Sequence, residues 1–122
     1  MAESISMDSA REVREFPRGR VEVVTVGSST FTRSTMQPGW RWSECVRPIV
    51  GTQSCRVQHD GYAISGSLRV RQDDGTEVDI NAGDAYSIPA GHDGWVVGDE
   101  PWVGVDVSPA MAEFAKPASE DR

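Results

Sequence analysis

Along most of this chain, apolar and polar residues alternate in short runs that glycine or proline interrupts every few positions. Residues 68–72 read Leu-Arg-Val-Arg-Gln and residues 76–80 read Thr-Glu-Val-Asp-Ile, with Asp73-Asp74-Gly75 between them. A period of two around an Asp-Gly turn predicts a β-hairpin with one buried face. That parity places Leu68, Val70, Val78 and Ile80 inside and the arginines and acids outside. Ile88 is expected inside on the same grounds. Further runs rich in Val, Ile, Thr and Trp predict strands over residues 21–26, 31–36, 40–46, 57–64, 85–88, 95–97 and 102–107. Many short strands at close, regular spacing indicate an all-β sandwich or barrel.

The ends read differently. Residues 1–19 are polar and are expected to form a flexible N-terminal arm before a barrel over 20–108. Residues 109–122 are expected to be a C-terminal tail that opens with a short helix.

Composition changes this picture little. At 122 residues, 38% hydrophobic and 25% charged, the chain has the make-up of one globular domain. Apolar runs as short as Trp95-Val96-Val97 cannot span a bilayer. Residues 1–20 carry no apolar leader-type stretch, so the cytoplasm is the expected compartment. The net charge of −7, with Lys116 the sole lysine, argues against a nucleic-acid partner.

A family resemblance enters at Gly83-Asp84-Ala85-Tyr86-Ser87-Ile88-Pro89-Ala90-Gly91, which resembles the second conserved motif of the cupin superfamily. Upstream, Tyr62-Ala63-Ile64-Ser65-Gly66-Ser67-Leu68-Arg69-Val70 resembles the end of the first. The likeness covers about residues 31–107 and implies a small jelly-roll barrel. It also implies a homodimer, in keeping with the need to shield sheet edges.

Metal-binding cupins carry His-x-His and Glu in the first motif and one His in the second. This chain departs from that set. The Glu position falls on His59. One register puts Cys45 and Arg47 at the two His positions, with residues 48–58 as an inserted loop. Another, without the insertion, puts the pair near Gln53 and Cys55. The second-motif His position is Gly94, with His92 two residues earlier.

Each candidate has a plain structural alternative. His59 should point inward, as a neutral core imidazole or as a ligand or acid–base group. Cys45 and Cys55 are small buried residues, a disulfide across their loop, or metal ligands together with His59. A Cys/His set favours zinc or copper over iron or manganese. His92 is either an exposed rim residue or part of the mouth. Trp40, Trp42 and Trp95 either fill the core or form an apolar wall. In the second case Arg41, Arg47 or Arg56 would hold the anionic end of a ligand.

Two functions follow from these residues. The first is a barrel that binds a small, anionic organic molecule, lined by His59, Arg47, Trp40, Trp42, Trp95 and His92. The second is a divalent-metal cupin enzyme, an isomerase, lyase or oxygenase acting on a small acid through Cys45, Cys55 and His59.

Overall fold

The computed structural model describes residues 1–117. Within these residues nine strands form two facing antiparallel sheets. The larger has the order β1-β2-β3-β9-β4-β7, and the smaller the order β6-β5-β8. In sequence the strands are β1 (Glu12–Phe16), β2 (Gly19–Val26), β3 (Ser29–Met36), β4 (His59–Ser65), β5 (Ser67–Gln72), β6 (Glu77–Asn81), β7 (Ala85–Ile88), β8 (His92–Val97) and β9 (Trp102–Asp106). This is the expected jelly-roll barrel. Its core includes Val21, Met36, Ala63, Leu68, Val70, Ile80, Ile88, Val96 and Trp102 from both sheets. Among the described residues, no helix is long and apolar enough to cross a membrane.

The hairpin forms as its sequence predicts. The Asp74 side chain accepts from the Thr76 backbone N–H and hydroxyl at 2.9 and 2.7 Å, which fixes the turn between β5 and β6. Leu68, Val70 and Ile80 are buried and Ile88 joins them. Val78 does not, since it is 51% exposed. It pairs with Val70, but β6 is an edge strand whose buried residue is Ile80.

The expected strand over 40–46 is not formed. Trp40 follows a turn, and helices α1 (Trp42–Cys45) and α2 (Arg47–Val50) succeed it. Trp42, Cys45 and Val46, at helical spacing, are the buried residues here, so the period is 3.6 rather than two. Asp93 on β8 accepts from the Ser43 backbone N–H at 3.0 Å and caps the start of α1. Pro48 sits in the first turn of α2, where its missing N–H costs nothing.

The N-terminal segment also departs from expectation. Residues 12–16 are not a detached arm but strand β1, paired with β2 and burying Phe16. Its polar residues conceal the strand because the inward Arg14 is engaged, donating to the Ala112 carbonyl at 3.2 Å. That contact ties β1 to a 3₁₀ turn, Pro109–Glu113, the short C-terminal helix. The rest of the expected tail, residues 118–122, lies outside the described residues.

Candidate metal and ligand site

Residues of the rim loops and strand starts converge at one end of the barrel. Cys55 forms an isolated bridge with His92, its N–H donating to the His92 carbonyl at 2.7 Å. The Gly91 N–H donates back to the Cys55 carbonyl, also at 2.7 Å. The Pro89-Ala90-Gly91 turn of the second motif thereby holds the loop that carries Cys55. His59 opens β4 opposite Ile88, and the parity of the strand sends its ring inward. His92 opens β8, where it shares the inward face with Gly94 and Val96.

Three buried ligating atoms result. Those of Cys55, His59 and His92 all lie within 4.8 Å of one another. Cys55 Sγ is 3.6 Å from His59 Nε2, and the two imidazole centroids are 5.0 Å apart. His92 Nδ1 lies 2.9 Å from the Pro89 carbonyl, so it carries the proton and leaves Nε2 free as a ligand. Burial pushes the His59 imidazole down to about 3, with His92 adding to the effect, and burial lowers His92 as well. Burial pushes the Cys55 thiol up to about 12. Without a cation the cluster is a neutral thiol beside two neutral imidazoles, so it holds no thiolate nucleophile.

The adjoining cavity, about 40 Å³, has room for a ligand of only a few non-hydrogen atoms. Trp40, Trp42, His59, His92, Trp102 and Asp106 are among its lining residues, and Met111 and Phe114 from the C-terminal segment also face it. Among the described residues, the indole N–H groups of Trp40 and Trp102 are buried without a partner. Asp106 Oδ2 accepts from the Tyr86 hydroxyl at 3.2 Å, while its Oδ1 has no partner among those residues.

Of the residues singled out from sequence, His59, His92, Trp40 and Trp42 line this cavity and Cys55 borders it. Arg47 does not, because α2 carries it on the exposed surface. Trp95 points to the outer face, where the Arg41 guanidinium stacks 4.1 Å above its ring. Cys45 is buried in the apolar core on α1, outside the triad, and both cysteines are free thiols. Of the two motif registers, the one without an inserted loop brings a cysteine to the ligand position. Neither Asp106 nor Tyr86 was among the sequence candidates. Their inward parity with Trp102/Gly104 and with Ile88 is the signal that marks them.

Asp106 gives the fold a measurable pH dependence. Burial is the main cause that pushes its carboxyl up to about 7, opposed in part by the Tyr86 hydrogen bond. An unfolded Asp titrates near 4. The contribution of this group is therefore complete below about pH 4 and lost as pH rises through about 7. Asp106→Asn removes the loss, so its urea-unfolding free energy relative to wild type should climb between about pH 4 and 7 and level off above. A constant difference across that range would contradict this assignment. The depressed histidines act in the opposite sense, weakening both proteins in acid, and cancel in the comparison.

No family model matches the chain, and no curated protein matches it in sequence. Solved structures do. A conserved protein with a double-stranded β-helix domain from Klebsiella pneumoniae is 23% identical with a TM-score of 0.60, covering 93% of this chain and 96% of that one. A protein of unknown function from Rhizobium leguminosarum is 18% identical with a TM-score of 0.62, covering 87% and 94%. The oxalate decarboxylase of Lactobacillus farciminis, solved as a formate complex, is 19% identical with a TM-score of 0.59, covering 89% of this chain and 34% of that one. At these identities the likeness is one of fold.

Proposed function

From the premise that this chain is a small cupin by fold, we propose that it holds a divalent metal at Cys55, His59 and His92 and binds a small acid beside it. One observation carries the reading. The 3.6 Å between Cys55 Sγ and His59 Nε2, a thiol–imidazole hydrogen bond in the metal-free chain, matches the separation of two ligands on one ion. A tetrahedral zinc with ordinary bonds to sulfur and nitrogen spaces those ligands about 3.6 Å apart.

The donor set fits the chemistry as well. Both imidazoles are already neutral, as ligands must be, and a cation would draw the proton from the raised Cys55 thiol. Thiolate and two imidazoles favour zinc or copper. Three protein ligands leave one coordination position for water or a ligand, the arrangement of catalytic rather than structural zinc sites. When bound, such an ion supplies a Lewis acid to an oxygen of that ligand.

The cavity's own groups argue for an acid. A dication with one thiolate carries a net positive charge that burial penalises, and a carboxylate neutralises it. The unpaired indole N–H groups of Trp40 and Trp102 need acceptors, each costing about 1–3 kcal/mol if unmet. With Arg41, Arg47 and Arg56 outside the cavity, metal and indoles take the part expected of arginine. The oxalate decarboxylase solved with formate shows how small a carboxylate a cupin protein accommodates.

Zinc titrated into chelator-treated protein by calorimetry tests the reading. One ion per chain with protons released from Cys55 is the expected result. No uptake of zinc, copper or cobalt would remove it.

A further inference from the structure

A second polar feature faces the same cavity one row away from the triad. Across the larger sheet, Thr32, Asp106, Gly61 and Tyr86 stand opposite one another on β3, β9, β4 and β7. His59 precedes Gly61 by two residues on the same inward face, which sets the two rows about 7 Å apart.

Two glycines build this row. A β-carbon at Gly61 would fall 2.8 Å from the Tyr86 hydroxyl, and one at Gly104 would fall 2.7 Å from it. Both positions must lack a side chain for the tyrosine to lie across the sheet and reach Asp106. Tyr86 then fixes one carboxyl oxygen, Oδ2, at 3.2 Å. The other, Oδ1, remains without a partner on a residue only 2% exposed, and so does Thr32 Oγ1 directly opposite. Most buried side-chain polar atoms have a hydrogen-bond partner, so Oδ1 on this cavity-lining residue calls for one.

We propose that Asp106, positioned by Tyr86, is a second binding pole that accepts a hydrogen bond from the hydroxyl of a small hydroxy acid. The carboxylate of that acid lies at the Cys55–His59–His92 end, so the inference rests on the function proposed above. It assigns the substrate class: acids with a hydroxyl one or two bonds from the carboxylate, in preference to simple carboxylates. The spacing of the rows and the few-atom cavity suit that length. Tyr86 acts through Asp106 and is a positioning residue.

The test compares glycolate with acetate by calorimetry on the zinc-loaded full chain. Wild type is expected to bind glycolate about tenfold more tightly, the size of one charge-assisted hydrogen bond. Asp106→Asn should keep zinc stoichiometry and acetate affinity while losing most of the preference, because Tyr86 engages the amide oxygen and leaves only a donor toward the ligand. Tyr86→Phe should reduce the preference less, with zinc affinity unchanged. Equal affinity for the two acids in wild type overturns the inference while zinc uptake leaves the metal site standing. Should Asp106→Asn not fold, Tyr86→Phe decides the matter, because the hydroxyl of glycolate also chelates zinc, and an undiminished preference in that variant overturns the inference. A preference that survives undiminished in a folded Asp106→Asn protein also overturns it. Failure of zinc uptake overturns the metal reading and this one together.

Discussion

Val70→Asp is expected to leave no folded barrel. Val70 sits on β5, the central strand of the smaller sheet, fully buried between Val78 of β6 and Gly94 of β8 and facing the cavity. An aspartate there meets apolar groups, since Leu68, Ile88 and Met111 line the same cavity. Burying an unpaired carboxylate costs several kcal/mol, and neutralising it by protonation still strands two polar oxygens. A domain of this size has about 5–15 kcal/mol of stability in all. Asp106 shows what toleration requires, because that buried acid has Tyr86 as a donor and two glycines that admit it. Circular dichroism and thermal melting read the outcome, and a cooperative transition near that of wild type would contradict the core assignment.

The second large effect is expected at the triad. Cys55→Ala and His59→Ala should each weaken zinc binding by about a hundredfold or more, beyond what loss of an outer hydrogen-bond partner produces. Each removes one of three ligands, and the remaining pair cannot close a tetrahedral site. Both variants should still fold, because His59 lines an existing cavity and Cys55→Ala removes a single side-chain atom from the core. Cys45→Ala is the matched control, because Cys45 is buried and free but lies outside the triad. Its zinc affinity should equal that of wild type. Equal losses from Cys45→Ala and Cys55→Ala would mean that the cluster was wrongly composed.

The sequence made the hairpin and the barrel legible because short, two-sided strands leave a period-two record, as at Leu68, Val70 and Ile80. It was less clear where another force sets the period. Trp40 and Trp42 fit an alternating strand, yet Trp42, Cys45 and Val46 share the buried side of a helical turn. Val78 fits the inward parity of β6 but lies at an edge, and parity alone carries no information about what covers a face. Glu12–Phe16 looked like a solvated arm because its inward Arg14 has its partner on the distant Ala112.

The site was half legible for similar reasons. His59 followed from motif position and parity. His92 belongs to the inward row of Gly94 and Val96, two residues from the position at which the motif places its histidine. Arg47 drew attention through a register that the fold does not use. Asp106 and Tyr86 are ordinary residues in sequence, and only the pairing of β4, β7 and β9 brings them together.

Cobalt(II) titration followed by absorption tests most directly whether Cys55, His59 and His92 hold one ion together. Cobalt replaces zinc in tetrahedral sites and reports its ligands through colour. Saturation is expected at one ion per chain, with intense visible bands of tetrahedral cobalt and a near-ultraviolet thiolate-to-cobalt band. In Cys55→Ala the thiolate band should vanish. Weak octahedral bands alone, or a thiolate band that persists in Cys55→Ala, would contradict a shared ion.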